Sequence, residues 1–138
     1  MSSSNVLKFI KDKEAEFVDL RFTDPRGKLQ HLTMDSTIID EEMLTDGVFF
    51  DGSSIAGWKA INESDMILKP DTSRIFMDPF TSHNTAVLFC DILDAVNRTP
   101  YERDPRGIAK KAEEYLKQSG IGDRLSLVLN LNFLFLTM

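Results

Sequence analysis

Val48-Phe49-Phe50-Asp51-Gly52-Ser53-Ser54-Ile55-Ala56-Gly57-Trp58 is the stretch on which the reading of this chain turns. Three apolar residues form a brief strand that delivers a carboxylate onto a glycine-serine turn. Gly52 lets the backbone bend sharply just past Asp51, and Trp58 is the chain's single tryptophan. A carboxylate and a flat aromatic on one exposed loop can reach a cationic or planar ligand, including one held in another molecule's pocket. Taken alone, Asp51 is an ordinary turn aspartate capping its own backbone, and an isolated tryptophan is more often core than ligand platform. The small residues around Trp58 favour exposure.

Outward from this loop the chain reads as α+β. Ser3 or Ser4 can cap a short helix carrying Val6, Leu7 and Ile10 at helical spacing. Phe17, Leu20 and Phe22, then Leu29, His31 and Thr33, flank Asp24-Pro25-Arg26-Gly27, which predicts a β-hairpin. Ile38, Ile39, Met43 and Leu44 suit a short helix over 37–44, stopped by Gly47. Met66-Ile67-Leu68 reads as a strand ended by Pro70, and residues 71–84 as mostly loop with a short strand over 74–77. Thr85 to Leu93 is long and apolar enough for a buried central strand. Asp104-Pro105 opens the best-defined helix, with Ile108, Ala112, Tyr115 and Leu116 on one face, Glu113 and Lys117 as an i,i+4 pair, and Gly120 as the stop. Helices and strands do not alternate as in βαβ units.

Size and charge narrow the function. One domain, with the start of a second, fits in 138 residues. Asp plus Glu outnumber Lys plus Arg by 22 to 16, a formal charge of -6. That balance repels phosphate backbones, and Lys110, Lys111 and Lys117 read as a solvated helix face, so no nucleic-acid partner is expected. Cys90, alone in an apolar run, reads as a small buried hydrophobe. The N-terminus lacks the basic and long apolar regions of a signal peptide, and no membrane span is evident; a cytoplasmic protein is expected. His31 and His83 have no partners at ligand spacing, and His31 reads as a strand-surface residue. Glu63 and Asp65 would share a face on a strand, but with no further ligand nearby they read as loop charges. No metal ligands are assigned.

The Phe-Asp-Gly-Ser-Ser element with its downstream Glu63-Ser64-Asp65 resembles the N-terminal signature of bacterial type I glutamine synthetase. Phe17-Val18-Asp19-Leu20-Arg21-Phe22-Thr23-Asp24, Lys28-Leu29-Gln30-His31, Ile55-Ala56-Gly57-Trp58-Lys59, Ile61-Asn62-Glu63-Ser64-Asp65-Met66 and Arg103-Asp104-Pro105-Arg106 look like the same family, in its order. The resemblance covers residues 1 to about 123. It implies a β-grasp domain over 1–100, the first helix of a catalytic domain over 101–123, and a non-family tail over 124–138. It also implies an enzyme that joins ammonia to glutamate with ATP and Mg2+ or Mn2+, through a γ-glutamyl phosphate. The family's subunits form a dodecamer of two stacked six-membered rings, with active sites between neighbours. Carried onto this chain, Asp51 would bind ammonium and accept its proton, Ser54 would sit beside it, and Trp58 would line the adjoining subunit's nucleotide region.

The departure lies at the end. Where the family continues into Gly-Pro-Glu-x-Glu, residues 125–138 hold no charged side chain. Leu125, Leu127, Leu129, Leu131, Phe133 and Phe135 alternate with Ser126, Asn130 and Asn132, a strand-like and aggregation-prone pattern. The expectation is a truncated N-terminal portion with a frameshift near codon 124, inactive alone because no complete set of phosphate clamps is present. Two other readings stay open: a non-catalytic interaction module docking on intact subunits, and a degraded pseudogene product.

Overall fold

The computed structural model describes residues 2–55, 57, 58 and 65–124. The strand pattern read in 125–138 and the pair Glu63-Ser64 lie outside these described residues. The chain divides into two compact units, Met1–Ile108 and Ala109–Met138. The first holds a five-stranded mixed sheet.

Helix α1, Ser3–Asp12, buries Val6 and Ile10, and its N-cap is Ser2 rather than Ser3 or Ser4. The Ser2 hydroxyl accepts from the Asn5 amide and lies 2.8 Å from the Ser4 hydroxyl. The predicted hairpin is present as β1, Phe17–Thr23, and β2, Leu29–Asp35, paired antiparallel. Asp24 organises its turn: one carboxylate oxygen accepts from the Arg26 and Lys28 amides, each at 2.9 Å, and the other from Gln30 Nε2 at 3.1 Å. Burial pushes the Asp24 acid up, but the Gln30, Lys28 and Arg26 bonds outweigh it, leaving a lowered pKa. Gly27, at φ +82°, makes the left-handed step that closes the turn.

The helix expected over 37–44 is broken in two. A 3-10 turn over Ser36–Ile38 is followed by α2, Glu41–Asp46. Asp40 is extended at φ -131° and ψ 179°, and its carboxylate accepts from the Met43 amide at 2.7 Å. An acceptor so placed starts a new helix rather than continuing an old one. Lys69 Nζ donates to the carbonyls of Leu44 and Thr45 near the end of α2.

Strand β3, Val48–Asp51, pairs with the start of β4, Asp65–Met77. β4 does not stop at Pro70. It runs on beside β5, Thr85–Asp94, with a register shift between Pro70 and Ile75. β3 begins opposite Leu68, so past that point the β4 edge facing away from β5 has no β3 partner, and a proline beside a bulge is tolerated there. β5 is the central strand, in the order β2-β1-β5-β4-β3, and its pairing with β1 is parallel. Helix α3, Pro105–Ser119, follows, and Gly120 at φ +70° lies just past its end. Glu113 and Lys117 pair as expected at 2.8 Å. Ile108 and Tyr115, on its apolar stripe, are exposed.

The inner face of the sheet packs Val18, Leu20, Phe22, Met66, Leu68, Leu88, Cys90 and Ile92 against Val6, Ile10 and Leu44. Burial drives the Cys90 thiol far above its ordinary range, so it is an inert core residue. The outer face is polar around Asp19 and Arg21, while Ile67 and Val87 are buried on it further along the sheet. Asp19, 4% exposed, receives Arg21 Nε at 2.7 Å, His31 Nδ1 at 2.9 Å and Thr33 Oγ1 at 2.8 Å. Arg21 also reaches Asp78. Burial raises the Asp19 acid, but the bonds from Thr33, Arg21 and His31 outweigh it and hold the pKa below the usual carboxylate value.

Two predictions come from this framework. Gly47 sits at φ +85°, and a Cβ there would lie 2.5 Å from Ile67 Cγ2 and 2.6 Å from the Leu68 carbonyl oxygen. Gly47→Ala should therefore destabilise the chain by about 2–4 kcal/mol in urea unfolding. The lowered pKa of Asp19 stabilises the fold above the unfolded carboxylate value of 3.8 and is lost as pH falls through the folded value. Asp19→Asn should lower the melting temperature at neutral pH and flatten its decline below about pH 4.

Candidate functional site

The Asp51 turn is built from its own backbone. The Asp51 carboxylate accepts from the Ser53 amide at 2.9 Å, and Ser54 Oγ donates to the Asp51 carbonyl at 2.7 Å. Gly52–Ser54 forms one 3-10 turn, closed by the Ile55 amide on the Gly52 carbonyl at 3.1 Å. The Trp58 amide then donates to the Ile55 carbonyl at 3.2 Å. Asp51 is exposed, at the end of the strand that forms one edge of the sheet. The sequence placed Asp51 and Ser54 together, and the turn brings them together.

The β3–β4 register sets Asp51 directly opposite Asp65. Residues paired across antiparallel strands project to the same face, and like charges so placed repel. Asp65 is also exposed. The sequence pairs Asp65 with Glu63 and reads both as loop charges; the structure makes Asp65 the first residue of β4 and the partner of Asp51. The signal that could have found it is equal spacing: Phe50 and Met66 are both apolar and each lies one step inside its aspartate.

Trp58 departs from expectation. It is 6% exposed, stacked on Phe22 with centroids 5.6 Å apart, and edge-on to Phe50 and Tyr101 at 6.1 and 5.8 Å. Aromatic partners on the inner face draw the ring inward, and small neighbours in sequence do nothing to hold it out. Its Nε1 is buried without a hydrogen-bond partner among the described residues. Arg103 Nη1 donates to the Gly57 carbonyl at 3.0 Å and more weakly to the Trp58 carbonyl at 3.4 Å.

A second polar constellation lies at a cleft of about 440 Å³, lined in part by Arg21, Asp71, Arg74, Phe89 and Arg106. Arg106 reaches Asp71 and, at 2.8 Å, Asp91, while Arg21 is held by Asp19 and Asp78. With four carboxylates around two of its arginines, the cleft is a neutralised network and not an anion pocket. Asp104 caps the start of α3 through the Arg106 amide at 3.0 Å and accepts from the Ile92 amide at 3.2 Å. Burial nevertheless raises its pKa, because the desolvation of so enclosed a carboxylate exceeds what these bonds return. His31 is a strand-surface residue as expected, though tied to Asp19. His83 meets Glu16 at 3.3 Å. Among the described residues, no group of three or more His, Cys, Asp or Glu is placed to hold a metal ion. No helix among them is long and apolar enough to cross a membrane.

Comparison with known proteins fits this geometry. The family described as glutamine synthetase, β-grasp domain, matches residues 14–95. The chain is 65% identical over 122 residues to a glutamine synthetase of Rhizobium meliloti, covering 88% of this chain and 26% of the relative. It is 57% identical over 122 residues to one of Bradyrhizobium diazoefficiens, with the same coverage of 88% and 26%. Among solved structures, a glutamine synthetase of Plasmodium falciparum superposes with a TM-score of 0.77 at 29% identity, over 87% of this chain and 23% of that one. The chain thus spans about a quarter of the length of the curated relatives it matches. A mixed sheet curled over α1 and α2, with the turn signature at its edge, is the β-grasp arrangement the resemblance implied, and the chain belongs to the glutamine synthetase β-grasp family.

Proposed function

We propose that this chain is the N-terminal portion of a glutamine synthetase, and that its Asp51 turn completes an active site formed with a neighbouring subunit. In that site Asp51 binds ammonium and accepts a proton as the nitrogen becomes nucleophilic. Ser54 holds the turn through its bond to the Asp51 carbonyl. One observation carries the reading: Asp51 stands exposed at a sheet edge, opposite Asp65, on the family's signature turn. Two carboxylates across one register position favour a cation between or beside them. A hydrophobic second face behind them, Phe50 on Trp58, keeps the turn fixed.

The remaining assignments form part of the same proposal. Residues 1–100 act as the β-grasp domain, 101–123 open the catalytic domain, and 124–138 lie outside the family pattern; the family match over 14–95 and the compact unit ending at Ile108 support the first boundary. ATP and Mg2+ or Mn2+ would be held by the catalytic portion, as the family resemblance implies. The partners are other subunits of the same enzyme, in two stacked rings, in the cytoplasm. Trp58 lines the neighbour's nucleotide region only through whatever edge its aromatic cluster leaves open.

A chimera carrying this chain's matched segment in place of that of the Rhizobium meliloti relative tests the reading. Asp51→Asn should lower kcat by about 10²- to 10⁴-fold, the usual size of a general-base contribution, and raise the KM for ammonium more than that for ATP. Asp65→Asn should weaken ammonium affinity with a smaller loss of kcat. An Asp51→Asn chimera with full activity would overturn the assignment. The 138-residue chain alone should show no glutamine formation above background when given ATP, glutamate and ammonia.

A further inference from the structure

We infer that Arg103 is a positioning residue for the Asp51 turn, acting as a clamp on the Trp58 backbone. The base of the clamp is rigid. The Tyr101 amide donates to the Ile92 carbonyl at 2.9 Å, the Ile92 amide donates to the Asp104 carboxylate at 3.2 Å, and Leu93 bridges Pro100. Residues 100–104 are therefore fastened to the end of the central strand on both sides of Arg103. From there the guanidinium crosses to the carbonyls of Gly57 and Trp58.

What it grips is continuous with the carboxylate. Trp58 bonds back to Ile55, Ile55 to Gly52, and Gly52 follows Asp51. Each step is a short turn, so displacement at Trp58 passes along the backbone to the carboxylate. The loop also carries an outward bias, because the Trp58 indole N–H is buried without an acceptor among the described residues. Ring packing on Phe22, Phe50 and Tyr101 opposes that bias, and the charge-assisted bonds from Arg103 oppose it from the backbone side. Gly57, at φ +91°, is where the chain turns its carbonyl toward the clamp. The purpose of the clamp rests on the site reading proposed above; its existence does not.

Trp58 is the chain's single tryptophan, so its fluorescence reports on the clamp without any catalytic assay. In the 138-residue chain, Arg103→Ala should red-shift the emission and raise acrylamide quenching. Hydrogen exchange at the Ile55 and Trp58 amides should accelerate about three- to tenfold, as expected for losing one solvent-exposed hydrogen bond of ordinary net strength. Exchange in β1 and β5 should stay unchanged. Arg103→Lys, which can still reach one carbonyl, should restore part of the protection. Arg98→Ala, which removes an arginine paired with Asp46 at 3.5 Å on the surface, should change none of these readouts. The inference fails if Arg103→Ala leaves quenching and loop exchange at wild-type values. It fails equally if exchange rises uniformly across the sheet, which would mark a general stabilising role. Because neither readout needs turnover, such a failure leaves the Asp51 assignment standing, and failure of the Asp51→Asn test leaves the clamp standing.

Discussion

The parallel pairing of β1 with β5 is the constraint on which the rest of the unit hangs. Phe17 to Arg21 lie beside Thr85 to Phe89, nearly seventy residues apart in sequence. Two parallel strands cannot be joined by a tight turn, so the chain between them must take a long route before it returns beside β1. Here that excursion holds β2, α2, β3 and β4. β2 folds back on the outer side of β1, and β4 and β3 add on the far side of β5. Both edges of the sheet are fixed once the middle is made. Closing so long a loop costs entropy before any contact returns it, and the return comes from Leu20, Leu88 and Ile92, all fully buried.

The polarity of the two faces follows from the same pairing. Strand alternation sends Val18, Leu20 and Phe22 inward and Asp19 and Arg21 outward. Across the hairpin His31 and Thr33 fall opposite Arg21 and Asp19 in the register, which is why one buried carboxylate can collect three donors. A charge so enclosed stabilises only because all its partners arrive together. Removing one would leave the others desolvated. Asp104 shows the opposite balance at the start of α3, where enclosure outweighs the amides that cap it.

How much of this could be read from the sequence depends on whether the deciding partner was local. The hairpin at Asp24 was legible because Pro, Gly and a capping carboxylate sit within five residues. The α3 start was legible for the same reason, and β5 because a long apolar run bounds its own length. Pro70 misled, since a proline breaks a strand only where its missing N–H is needed, and that depends on where the β3 pairing stops along β4. The helix over 37–44 failed at Asp40, whose cap for α2 competes with continuation. Trp58 was misplaced because its burial is decided by Phe22, Phe50 and Tyr101, which come together only in three dimensions. In the candidate site, Asp51 and Ser54 were visible as a motif. Asp65 and Arg103 stood in family motifs but without these roles, because register and a contact 46 residues away assign them.

An exposed carboxylate at a sheet edge is chemically quiet for a physical reason that suits a shared site. At 4 Å, two opposite unit charges attract by about 1 kcal/mol in bulk water and by about 4 kcal/mol at an effective dielectric constant of about 20. In this chain Asp51 faces solvent, so in the proposed site its hold on an ammonium ion would be weak while the turn is uncovered. Covering the turn with a second protein surface changes no bond in it, yet multiplies that attraction and the repulsion from Asp65 alike. Under the proposed function the cation would then be the group that makes the paired carboxylates tolerable. For this to work the turn must already have its bound shape when it is covered. Reorganising it on docking would consume the energy that the lower dielectric supplies. The internal bonds of Asp51 with Ser53 and Ser54, and the aromatic packing behind Phe50, supply that shape in advance.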